Sequence, residues 1–294
     1  ATTSLPLFVI LRFVGGVSSA FVLVFSSSLV MERLTAAGKI RFASYQFAGV
    51  GTGIALSAAL VERLAANGIA WQWQWSATAF LSLLAFLAVA GLIGPAPQGI
   101  KSTGSSTANG RMSAPLLALV LSYGLFGFGY VITATFLVQL VRTNAAIAPI
   151  EPMIWLIVGL AAVPSVAVWS AVGRRIGTGY AYALACLVEA AGVLASVLWI
   201  APAGAVLAAI LLGGTLVGIT ILGFVLVRKL VTGNVARMIA LMTAAFGLGQ
   251  IIGPIFAGWV HDLTGSFLLP SVAAAGTLLI AALLVGRYGG GALR

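Results

Sequence analysis

Two charged side chains, Arg12 and Glu189, lie inside long apolar stretches of this 294-residue sequence. Every other Lys, Arg, Asp and Glu sits in the polar gaps between those stretches. An ionised carboxylate in an apolar slab is expensive, so Glu189 is expected to be either protonated or paired. A carboxyl that takes up and releases a proton can couple it to movement of a solute. The plainer role is a protonated side chain hydrogen-bonded between helices. Arg12 stays charged and offers a planar fork of donors, which suits an anionic solute or a carboxylate partner. Roughly two helical turns from one end of its stretch, it could equally snorkel to headgroups or cap a neighbouring helix.

Uncharged polar residues add two stripes and a pair. Tyr123, Phe126, Gly127, Tyr130, Thr133 and Ala134 recur at helical spacing and fall on one face. That face either lines a cavity for a small polar or amphipathic solute or packs against other helices through hydroxyl-to-backbone bonds. Gln139 lies off it, near the outer end. Gln46, Gly49, Gly53 and Ser57 form a narrower stripe, with Gln46 as solute ligand or inter-helix glue. Gln250 beside Gly253 and Pro254 has the same two readings. Pro164 and Pro254 are expected to kink their helices.

Enzymatic chemistry finds little support. The one histidine, His261, neighbours Asp262 at an outer gap, where both are expected to face solvent in a loop. One His and one Cys cannot build a usual metal site, so no metal is expected. Cys186 has no disulfide partner and is expected to pack. No P-loop or nucleophile-elbow pattern occurs, and no cofactor is implied. A lipid-modifying membrane enzyme would need a clustered polar site at the interface. A channel would need a ring-forming polar repeat.

The apolar stretches span residues 6–31, 42–61, 75–93, 115–141, 152–172, 180–200, 203–227, 238–260 and 267–285. Hydrophobic residues make up 61% of the chain and charged ones 7%, against about 25% charged in soluble domains. Each stretch approaches the roughly 20 residues that cross a bilayer as a helix. Period-2 alternation is absent, which argues against a membrane β-barrel. The expected fold is all-α integral membrane, with nine transmembrane helices.

The net charge of +10 could suggest nucleic acid. Its distribution says otherwise. Of the 15 Lys and Arg, twelve fall in alternate gaps or the C-terminal tail: Arg33, Lys39 and Arg41; Lys101 and Arg111; Arg174 and Arg175; Arg228, Lys229 and Arg237; Arg287 and Arg294. The other side holds Arg12, Arg63 and Arg142. Cytoplasmic loops carry the basic excess, so in a cytoplasmic (inner) membrane the C-terminus is expected on the cytoplasmic side and the N-terminus outside. Trp71, Trp73, Trp75, Trp155, Trp199 and Trp259 fall at outer span ends and Trp169 near an inner one, as interfacial belts require.

Spans one to three resemble spans seven to nine. Gly15–Gly16, then Glu32–Arg33–Leu34, Arg41 and Gly49–Val50–Gly51 match Gly213–Gly214, then Arg228–Lys229–Leu230, Arg237 and Gly247–Leu248–Gly249. A repeat six spans apart implies a partner for spans four to six, three further spans ahead of span one. Residues 94–114, rich in Gly, Ser and Pro, read as a cytoplasmic linker. The domains are then 1–93, a partial N-terminal bundle, and 115–294, a six-helix C-terminal bundle.

Two six-helix halves built of three-helix repeats, joined by a central loop, resemble the major facilitator superfamily. Arg12–Phe13–Val14–Gly15–Gly16 is similar to its fourth-helix motif. Gly173–Arg174–Arg175–Ile176–Gly177 resembles its inner-loop motif, without the usual Asp. Gly249–Gln250–Ile251–Ile252–Gly253–Pro254 resembles its eleventh-helix pattern. Tyr123 through Tyr130 resembles the seventh helix of the bacterial YbfB/YjiJ-type branch. The resemblance implies helices four to twelve of a twelve-helix transporter, monomeric when complete. Such a protein moves a small solute by alternating access, with a proton as candidate coupling ion and membrane lipid as surroundings. Glu189, Arg12, Tyr123, Tyr130, Thr133, Gln46 and Gln250 are then the candidate solute and coupling residues. Gly15, Gly16, Gly173, Arg174, Arg175, Gly177, Gly253 and Pro254 are the candidate gating residues.

Overall fold

The computed structural model describes residues 4–38, 43–92, 112–231, 234–289 and 291. Among these residues the chain forms α-helices and one short 3-10 turn, with no strand. The helices are α1 (Leu5–Ala36), α2 (Ala43–Ala66), α3 (Trp71–Leu92), α4 (Ala114–Arg142), α5 (Ile154–Ile176), α6 (Thr178–Leu198), α7 (Pro202–Leu230), α8 (Val235–Thr264) and α9 (Leu268–Gly286). Each apolar stretch in the sequence has its helix, and all nine are long and apolar enough to cross a membrane.

Helix ends differ from the apolar boundaries in a consistent way. α1, α2, α5, α7 and α8 all run past their apolar runs, so Arg33, Arg63, Arg174, Arg175, Arg228, Lys229 and Arg237 lie in helical turns. Backbone hydrogen bonding does not stop where hydrocarbon stops, and all of these but Arg237, in the first turn of α8, lie in last turns, where basic residues suit the helix C-terminus. His261 and Asp262 likewise belong to the last turn of α8, 3.7 Å apart, with His261 stacked on Phe267. The expected loop placement is thus corrected. α5 starts later than its apolar run because the 3-10 turn Ala148–Met153 holds Pro152 inside it, where a missing N–H costs least. Lys39, Arg41, Lys101, Arg111, Arg294 and nearly all of the 94–114 linker lie outside the described residues.

The core belongs to α4–α9. Leu119 and Phe126 of α4, Tyr182 and Cys186 of α6, Ile219 and Leu226 of α7, Met242 of α8 and Leu278 of α9 are buried together. A second cluster joins Leu137 and Val141 of α4, Ile154 and Val158 of α5, and Ala208 and Leu212 of α7. Cys186 packs as expected. Trp169 does not: it is buried in the core, its Nε1–H donating to Gly214 O at 2.8 Å, and not part of an interfacial belt. An indole with a polar partner inside the bundle has no need of the headgroups.

Small residues set the crossings. The buried residues of α8 are Met242, Gly249, Gly253 and Ala257, one stripe. A Cβ on Gly249 would lie 2.6 Å from Phe128 N, and one on Gly253 2.9 Å from Phe128 O, so α8 lies directly on the α4 backbone. α2 meets α5 the same way: a Cβ on Gly51 would lie 2.5 Å from Val163 N, and one on Gly159 2.7 Å from Ala55 Cα. α3 has no buried residue, and residues 5–22 of α1 are exposed.

Candidate coupling and solute site

Glu189 sits on the inward face of α6, which also carries Tyr182, Ala185, Cys186, Val193 and Ser196 at helical spacing. It is fully buried. No cation reaches it among the described residues. Thr215 of α7 approaches instead, its Oγ1 2.8 Å from Glu189 Oε2. Glu189 Oε1 has no hydrogen-bond partner. The same Thr215 Oγ1 is 2.6 Å from Leu211 O, one turn back along α7. A hydroxyl has one hydrogen, so it donates to only one of these acceptors at a time.

The residue before Thr215 is the centre of a second arrangement. Ser165 of α5 donates to Gly214 O at 2.7 Å and accepts from the Gly218 N–H at 3.0 Å. In a regular helix Gly218 N–H donates to Gly214 O directly. Ser165 thus bridges the donor and the acceptor of that step, within a helix that stays continuous over Pro202–Leu230. Trp169 Nε1–H takes the same carbonyl. The approach needs glycine: a Cβ on Gly213 would lie 2.8 Å from Val158 C, and one on Gly218 2.7 Å from Trp169 Cγ.

The α4 stripe faces inward. Tyr123, Phe126 and Thr133 are buried and Tyr130 is half-buried. Phe246 of α8 packs on three of them, at centroid distances of 5.1 Å to Tyr123, 5.3 Å to Phe126 and 6.2 Å to Tyr130. Tyr123 OH donates to Thr220 Oγ1 of α7 at 3.3 Å. Thr133 Oγ1 is buried without a hydrogen-bond partner.

The remaining candidates lie on α1, α2, α8 and the α5–α6 turn. Arg12 is exposed, its guanidinium over Phe8 at 5.2 Å and over Trp75 of α3 at 5.0 Å. Gln46 of α2 is half-buried, with Nε2 3.5 Å from Ser26 Oγ of α1. Gln250 is half-buried on α8. A Cβ on Gly15 or Gly16 would meet nothing within 4 Å, whereas Gly253 lies on α4 and Pro254 lies within α8. Gly173, Arg174, Arg175 and Gly177 line a cleft at the α5–α6 turn. Ser165, Thr215 and Thr220 were not singled out from the sequence. The signal for the two threonines was faint: hydroxyls five apart on α7 beside a glycine pair.

The family model described as "Uncharacterised MFS-type transporter YbfB" matches residues 1–286. The chain belongs to this major facilitator family. It is a multi-pass membrane protein of a transporter family. No curated protein matches the chain. Among the described residues, no group of His, Cys, Asp and Glu could hold a metal ion.

Proposed function

We propose that this protein is a secondary transporter that moves a small solute across the cytoplasmic membrane by alternating access, with Glu189 exchanging the coupling proton. One observation carries the reading. A fully buried carboxyl with one unpartnered oxygen hydrogen-bonds a helix beside the backbone step that Ser165 bridges. Ionised, Glu189 accepts from Thr215. Protonated, its O–H can donate to Thr215 Oγ1, and the Thr215 hydrogen turns to Leu211 O. α7 is bonded differently in the two states, next to the Ser165 bridge. A proton can bias a conformational equilibrium only through such a difference.

The solute site lies where α4 faces α7 and α8. Tyr123, Tyr130 and Thr133 offer hydroxyls to a small polar or amphipathic solute once α8 and its Phe246 move. Gln46 and Gln250 add amide contacts, and Arg12 adds positive potential at one mouth. Gly15, Gly16, Gly173, Arg174, Arg175, Gly177, Gly253 and Pro254 serve the conformational change. α1–α9 take the fourth to twelfth places of a twelve-helix design, with 1–93 in one half, 94–114 as linker and 115–294 as the other half. The close α2–α5 crossing and the exposed apolar surfaces of α1 and α3 support that placement. The C-terminus is cytoplasmic, and the complete transporter is monomeric.

Transport tests this. Proteoliposomes with an imposed proton gradient would be offered a panel of radiolabelled small polar solutes. Native protein is expected to accumulate a solute until an uncoupler is added. Glu189→Gln is expected to lose accumulation yet keep exchange at equal pH. Undiminished, uncoupler-sensitive accumulation by Glu189→Gln would overturn proton coupling through this residue.

A further inference from the structure

A cleft of about 540 Å³ opens between the α5–α6 turn and the end of α7. Its cations are Arg174 and Arg175 from the last turn of α5 and Lys229 from the last turn of α7. None of its lining residues is acidic. Gly177 makes the turn at φ +94°, a conformation glycine adopts without strain. One residue, Gly177, therefore separates α5 from α6, and Gly177 and Thr178 line the same cleft. The first N–H groups of a helix lack intrahelical acceptors, and no side chain caps these. Lys229 Nζ donates to Thr178 Oγ1 at 3.0 Å, which holds the ammonium at the cleft. Three cations, an uncapped 21-residue helix start and no carboxylate among the described lining residues make an anion-binding cavity.

Position selects the anion. The cations sit where apolar helices end, at headgroup depth. Ile176 of α5 and Val225 of α7 line the cleft beside these cations and are exposed. A soluble anion has no use for that apolar lining; an acyl chain does. We propose that this cleft binds the phosphate of an anionic phospholipid, with one acyl chain lying against Ile176 and Val225. Basic pockets between membrane helices recognise such headgroups. The inference is independent of the transport reading.

Detergent-purified protein would be tested by native mass spectrometry and by tryptophan-fluorescence melting. Phosphatidylglycerol is expected to stay bound and to raise Tm by several degrees. Phosphatidylcholine and inorganic phosphate are expected to do neither. The variant Arg174→Gln/Arg175→Gln/Lys229→Gln is expected to lose the effect. The charge-matched control Arg228→Gln/Arg237→Gln/Arg287→Gln is expected to keep it. If the first triple variant does not fold, Arg175→Gln alone should weaken phosphatidylglycerol binding roughly tenfold. Retention of phosphatidylglycerol by the first variant, equal loss in the control, or stabilisation by inorganic phosphate alone would overturn the proposal. Unchanged affinity in Arg175→Gln would do the same.

Discussion

Thr215 has a single hydrogen and two buried acceptors within 2.8 Å, the Glu189 carboxyl and the Leu211 carbonyl. Replacing it by valine keeps the shape and removes the hydroxyl. Glu189 would then have no hydrogen-bond partner, which costs about 1–3 kcal/mol. Thr215→Val is therefore expected to lower the melting temperature in detergent, and Thr215→Ser to restore it. A valine variant as stable as the native protein would show that the pair contributes nothing. Glu189 was legible in the sequence because a charge in an apolar run is conspicuous. Thr215 was not, because a threonine in a membrane helix satisfies itself on its own backbone and draws no notice. Trp169 misled for a related reason. A tryptophan near a span end matches a belt residue, and only the α5–α7 contact shows that its N–H is used inside.

At the scale of the helix, the α2–α5 contact is the main join between α1–α3 and the rest. Gly51 faces the α5 backbone, while a Cβ on Gly53 would meet nothing within 4 Å. Gly51→Val should force the helices apart, at about 1–3 kcal/mol for overpacking. Gly53→Val should be neutral. Equal melting temperatures for the two variants would contradict the crossing. The existence of all nine helices followed from apolar run length, since a bilayer leaves the backbone few other options. Their ends did not, because the last turns carry cations and remain helical. Which helix touches which was not legible either. A membrane helix is apolar all round, so hydrophobic periodicity cannot mark its packed face, and the small residues that do mark it occur on several faces at once.

For the whole molecule, α4–α9 hold most of the buried core, so residues 112–294 are expected to fold without α1–α3. Expressed alone, that segment should melt cooperatively and stay monodisperse in detergent. Aggregation under conditions where the full chain is stable would show that α2 is part of the core. Orientation is accessible through single cysteines at Ser105 and Asn67 in a Cys186→Ala background. The basic asymmetry predicts that an impermeant thiol reagent labels position 67, not 105, in intact cells. The central claim is that Glu189 gains and loses a proton and that α7 moves with it. Infrared difference spectroscopy of the reconstituted protein between acid and alkaline buffer tests this without knowledge of the solute. A protonated-carboxyl band that titrates, accompanied by an amide change, and the loss of both in Glu189→Gln, is the predicted result. An identical difference spectrum from native protein and Glu189→Gln would contradict it.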